Sequence, residues 1–270
     1  MMRAAAPRPP RHGSPQRAPW GWAAAGLGLG LVLALLAWAP AQWLASGVQR
    51  ASGGQVQLHA ARGLLWQGSA QLVLTGGAGS QDRVALPGRL HWRLRPAWRG
   101  ARLQLSADCC TPEGPLQVLA RAGWNSLQLQ LRDGTSQWPA GALAGLGTPW
   151  NTVQLQGRLQ LSTEGLQLSW SAGRLQVQGR ARLDALAISS RLSTLRPLGS
   201  YRLALQGGDA PTLQLSTLEG ALQLSGSGRW VGQRLRFEGE AAAAPGREAV
   251  LANLLNIIGR RQGARSIITL

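Results

Sequence analysis

The chain has 270 residues, with 28 basic side chains against 11 acidic ones and a formal charge of +17; every basic residue is Arg. Without Lys there is no P-loop GK(S/T) and no Schiff-base chemistry. Three His (His12, His59, His91) and two Cys do not furnish a supported zinc site, and so few charges argue against a sustained coiled coil.

The excess of Arg, Ala, Gly and Trp beside scarce Lys and Phe reads as a coding bias. Residues 1–19 carry Arg3, Arg8, Arg11 and Arg17, several Pro and no acid. They are expected to be a disordered basic tail. From Ala18 to Gln49 there is no charge. Within this stretch Ala23–Ala41 would run about 28 Å as a helix, close to a hydrocarbon core of about 30 Å. Trp20 and Trp22 flank one end, Trp38 and Trp43 the other, which is the pattern of an aromatic belt at two interfaces. Residues 20–43 are therefore expected to be a transmembrane signal anchor. By the positive-inside rule the tail is cytoplasmic and residues 44–270 lie outside the cytoplasm. Ala39-Pro40-Ala41 also fits an A-x-A cleavage site, although Pro40 and the long apolar run favour an uncleaved anchor. Setting aside the four tail Arg, 24 remain against 11 acids. Nucleic acid is not expected there; anionic headgroups or acidic protein surfaces suit this charge better.

Beyond the span, Leu or Val alternates with Gln, Arg, Ser or Thr, as in RLHWRL (89–94), SLQLQLR (126–132), TVQLQGRLQLS (152–162), TLQLS (212–216) and RLRFEGE (234–240). Period two puts apolar side chains on one face. A buried parallel sheet would show continuous apolar runs instead. Gly-rich and Asp-Gly links are short, so the strands are antiparallel meanders. The fold class is mainly β: about twelve strands in one or two curved antiparallel sheets, closing as a barrel or sandwich or staying folded as a groove. Gly157 occupies an apolar-phase position and marks a bend or bulge. WPAGALAGLG (138–147) reads as a helical turn between two sheet halves.

An amphipathic helix is expected at 247–258, with Val250, Leu251, Leu254, Leu255, Ile257 and Ile258 within an arc of about 160°. Glu248 suits its first turn and Gly259 a C-cap. Ser266–Leu270 reads as a last short strand. The helix is expected to lid the β-domain, and Arg260, Arg261 and Arg265 are candidates for docking a partner.

No GxSxG, HExxH, GxGxxG or SxxK pattern occurs, and the acids are scattered; the closest pair, Glu238 and Glu240, alternates along one strand. No enzyme, cofactor, metal or small-molecule substrate is expected. Cys109 and Cys110 are adjacent, so a bond between them is a strained ring. Two free thiols or intermolecular links are the alternatives; an oxidising compartment favours the ring.

GLLWQGSAQLVL (63–74), LGTPWNTVQLQGRLQL (146–161), PLGSYRLALQG (197–207) and above all residues 220–270 resemble type II secretion system protein N, the general secretion pathway N component. The resemblance spans roughly residues 20–270. It implies a single-pass inner-membrane protein with a periplasmic β-rich domain. It also implies an accessory role in exporting folded proteins across the outer membrane, and other secretion components as partners. The strand pattern and the Gly-x-x-Trp-x-Gly start are also similar to AsmA-like β-groove proteins, which implies an alternative: a lipid-binding or lipid-guiding groove.

Overall fold

The computed structural model describes residues 20–98, 100–232 and 234–269. The chain divides into two units, 1–39 and 40–270. The first contains α1 (Trp20–Ala37), uncharged and entirely apolar in its exposure, with a mean hydropathy of 1.8. By length and composition it is able to cross a membrane. It is shorter than the expected 20–43 span. Pro40 interrupts the run, and Trp43 belongs to a second helix, α2 (Ala41–Ala51), in the other unit.

The second unit continues with β1 (Val56–Gly63), β2 (Gln67–Thr75), β3 (Arg83–Ala85), β4 (Leu90–Ala97), β5 (Gly100–Ala107), β6 (Leu116–Ala122), β7 (Ser126–Leu131) and β8 (Gly134–Pro139). A 3-10 helix, η1 (Ala140–Leu146), and a single turn, α3 (Trp150–Val153), lead into the two longest strands, β9 (Gln156–Ser171) and β10 (Arg174–Ser189). Then come β11 (Gly199–Gln206), β12 (Thr212–Gly220), β13 (Leu222–Val231), β14 (Arg234–Ala243), α4 (Glu248–Ile258), β15 (Arg260–Gln262) and β16 (Arg265–Thr269).

Among the described residues sixteen strands form one antiparallel sheet: fourteen follow the order β1-β2-β4-β5-β6-β7-β9-β10-β11-β12-β13-β14-β16-β15, while β3 pairs with β2 and β8 with β9. The sheet is open: among the described residues its outer strands β1 and β15 do not pair with each other, so it is neither a barrel nor two packed sheets. The surplus over twelve includes β3 and β15, three residues each and too brief to show alternation, and β8, whose GTSQWP lacks it. Two strands share one flank of β9: β7 pairs with Gln167–Ser171 and β8 with Arg158–Thr163.

Register carries the period-two pattern across the sheet. Leu161, Leu183, Leu203 and Leu215 stand opposite one another on successive strands, and Gly226, Gly239 and Ile268 continue the row. Directly opposed residues share a face, so this row is one strip of a continuous apolar surface. Phe237, the only Phe in the chain, lies buried over glycines. A Cβ on Gly226, Gly228 or Gly239 would stand 2.6, 3.0 or 2.8 Å from its ring. Gly157 has φ +131, and the β9–β10 register shifts beside it, so the expected bulge is present.

Separate segments cover this surface. Ala41 and Leu44 of α2 pack with Ala70 and Trp92. Ala142 of η1 packs with Leu86, Ala107 and Cys110. Leu251, Leu254 and Leu255 of α4 pack with Leu198, Tyr201, Leu222 and Ala241. The buried arc of α4 is narrower than expected, because Val250 and Ile257 are exposed. Gly259 is not a left-handed C-cap: its φ of −165° is extended backbone, and β15 begins at the next residue. Val153 and Leu155 precede β9 rather than belonging to it, since Gln154 at φ +45 turns the chain.

Tyr201 is buried, and its hydroxyl is the one buried side-chain N or O among the described residues without a hydrogen-bond partner. Burial pushes its phenol well above the usual range. An unpartnered buried hydroxyl costs about 1–3 kcal/mol. Tyr201→Phe is therefore expected to leave the fold intact and raise stability by about 1 kcal/mol in urea denaturation. A loss of stability would mean that the hydroxyl has a partner.

Candidate functional site

The Cys109-Cys110 pair sits just after β5. Its sulfurs are bonded to each other, with Cα atoms 3.7 Å apart. Cys110 is fully buried against Ala107 and Ala142, while Cys109 is exposed. The surrounding turn is held by its own backbone: Cys110 N donates to Ala107 O at 2.9 Å, and Thr111 Oγ1 accepts from Ala107 N at 3.0 Å. The loop also ties to β8. Gln137 N donates to Cys110 O at 2.8 Å, and the Thr135 hydroxyl donates to the Glu113 carboxylate. These two hydrogen bonds fasten the β5–β6 connection to β8, a strand whose other flank is paired with β9.

Arg260, Arg261 and Arg265 all lie on the β15–β16 hairpin, but on two faces. Arg261 stands opposite Ser266, whose hydroxyl donates to Leu255 O of α4. On that side Arg261 Nη1 donates to Ala252 O at 3.1 Å and to Asn256 Oδ1 at 3.2 Å. It braces the lid helix. Arg260 and Arg265 share the opposite face, where Arg265 Nε stands 3.0 Å from Glu240 Oε1. The docking candidates thus reduce to Arg260, exposed, and Arg265, two-thirds exposed but paired.

His59 and His91 lie on β1 and β4 as expected. His91 Nε2 stands 3.3 Å from Asp108 Oδ1 at the surface, and the His59 ring meets Gln57 Oε1. Glu238 and Glu240 alternate along β14, and Glu240 is committed to Arg265. Among the described residues, no three His, Cys, Asp or Glu side chains stand close enough to hold a metal ion. A cleft of about 840 Å³ is lined by Gln49, Arg50, Gln57, Thr75 and Arg83 among others; it holds no carboxylate and no nucleophile–base pair.

The best-formed ion pair joins β10 to β11. Arg202 Nε and Nη2 donate to Asp184 Oδ1 and Oδ2 at 2.7 and 2.8 Å. These bonds hold the Asp184 carboxyl below its ordinary 3.8, against the opposing pull of burial; the charges of Arg202 and Arg182 add to the effect. A lowered folded value means the pair's contribution is complete above the unfolded value and is lost as pH falls through the folded one. Asp184→Asn is expected to cost about 1 kcal/mol at neutral pH, a figure kept small by solvent screening. The gap from the parent should close at pH values below about 3.8 in pH-dependent denaturation. A gap constant with pH would show that packing, not charge, is lost.

Searches among curated proteins and among solved structures found no match. A model of the type II secretion system (T2SS) protein N family matches residues 54–268, which runs from just before β1 into β16. That match takes in nearly the whole sheet together with its lid helix, and the chain belongs to the type II secretion system protein N family.

Proposed function

We propose that the protein is a single-pass inner-membrane accessory component of the type II secretion system. Its tail 1–19 would be cytoplasmic, α1 its anchor, and residues 44–270 a periplasmic domain that supports export of folded proteins across the outer membrane. The observation that carries this reading is the family match over the whole sheet, joined in the same chain to a membrane-length apolar helix. Other secretion components are its partners, met through exposed side chains such as Arg260. The Cys109-Cys110 bond fixes the turn whose Cys110 carbonyl and Glu113 carboxylate hold β8, with Cys110 buried and Cys109 at the surface.

A chromosomal deletion should reduce type II secretion, and the full chain should restore it. Undiminished export in the deletion strain would reject the role. A periplasm-dependent phosphatase fused after Gly100 should be active; an inactive fusion, with an active cytoplasmic reporter at the same point, would reject the topology. Arg260→Gln with Arg265→Gln should lower export at matched protein level, whereas normal export would remove the docking role.

One observation favours a lipid-guiding groove as the second reading. The apolar face is not covered along its whole length: Leu127, Trp170 and Leu175, opposed in register, are all exposed. Lipid in organic extracts of the purified protein, detected by mass spectrometry, would favour that reading; its absence would favour the scaffold.

A further inference from the structure

Strand direction places six hairpin turns at one end of the sheet: β1–β2, β4–β5, β6–β7, β9–β10, β11–β12 and β13–β14. Five of them carry a Trp in the turn or within three residues of it: Trp66, Trp98, Trp124, Trp170 and Trp230. Trp98 and Trp124 are almost wholly exposed, at 93% and 106%, and Trp170 is half exposed. Indoles as exposed as Trp98 and Trp124 gain little burial from their own fold.

The same end is basic. Within four residues of these turns the sole acid is Asp209, against Arg62, Arg121, Arg174 and others. Arg95 stands opposite Arg102, and Arg229 opposite Arg236. Like charges directly opposed across strands repel, so each pair raises the local demand for an anion. Among the described residues, none of these Arg is paired with a carboxylate. The opposite end mixes both signs, with Asp82, Asp108, Glu113, Glu219 and Glu248 beside Arg83, Arg89, Arg132, Arg196 and Arg247.

The chain also enters the domain at this end. Pro40 forms a bridge with Leu64, in the β1–β2 turn. Pro40 is three residues beyond the end of α1, a distance the backbone spans in at most about 11 Å.

We propose that this end of the sheet is a membrane-interface surface that rests on an anionic lipid leaflet. The hairpin tryptophans enter the headgroup layer and the arginines pair with lipid phosphates. Indole rings prefer that layer, and guanidinium groups match phosphate geometry. An acidic protein would satisfy the charge, but it would not account for the chain entering the domain among these turns. The proposal rests on reading α1 as a membrane anchor.

The test uses the full chain reconstituted in vesicles of phosphatidylethanolamine and phosphatidylglycerol. Spin labels are placed at N125C and A172C, in two of the turns, and at T194C, exposed in the 190–198 connection at the other end. The native cysteines are bonded to each other and do not take the label. The two turn labels should be shielded several-fold from an aqueous nickel complex relative to the third, and more accessible to oxygen. This difference should shrink in phosphatidylcholine vesicles and in a variant carrying R95Q, R102Q, R121Q and R234Q. Turn labels as water-exposed as the control, in chains that resist alkaline extraction, would overturn the surface proposal while sparing the anchor. Chains stripped from the vesicles by alkali would overturn the anchor reading and the proposal with it. Shielding that arises only when another secretion component is added would replace the lipid surface by a protein interface.

Discussion

Leu254→Asp is expected to lower the unfolding free energy by about 4 kcal/mol or more. The side chain is 2% exposed and sits between Leu251 and Leu255 in the contact of α4 with Leu198, Tyr201, Leu222 and Ala241. Substitution by Asp removes the apolar contact and places a charge there with no cation to meet it; the nearest helix-bracing cation, Arg261, is bonded to Ala252 and Asn256 on the exposed side. Val250→Asp on the same helix, at an exposed position, should stay within about 1 kcal/mol. Urea denaturation and protein level in cells would read both. Equal losses at the two positions would mean that α4 does not cover the sheet.

The second large effect is expected at Phe237. Phe237→Ala should cost about 3–5 kcal/mol, because three glycines leave nothing else to fill the space its ring occupies. Gly226→Val attacks the same contact from the other strand, with a new Cβ 2.6 Å from the ring and 2.9 Å from Glu238 O. Overpacking of this kind costs about 1–3 kcal/mol or more. The double variant should be less damaged than the sum of the two, since Val fills part of what the ring vacates; the backbone approach to Glu238 keeps the rescue partial. Strict additivity in a denaturation cycle would show that the ring and the glycines do not act as one unit.

The alternation of Leu with polar residues made the sheet readable from sequence, because a strand with one wet face writes its pairing phase into every second residue. The amphipathic spacing at 248–258 did the same for α4. Pairing partners were not readable. Nothing in SLQLQL or GTSQWP says that β7 and β8 lie end to end along one flank of β9, because that choice depends on the length of β9 and on the Cys110 loop reaching β8. Helix α2 was hidden by its position behind the uncharged span, although Pro40 and the spacing of Ala41, Leu44 and Val48 carried the signal. At the C-terminal hairpin three Arg read as one cluster; a two-residue period divides them, and only the structure shows that Arg261 faces the helix.

The strand order has a consequence for assembly. With few exceptions each strand pairs with its predecessor or the next long strand, so the sheet is able to form in the order in which the chain emerges, each step closing a short loop. The exception is the end. The apolar patch of Leu198, Tyr201, Leu222 and Ala241 waits for α4, and α4 is itself held by Ser266 and Arg261 from the final hairpin. A chain halted some twenty residues short would thus be a nearly complete sheet with its stickiest surface bare. The last segment to arrive decides whether the preceding strands become a soluble face or an aggregation seed.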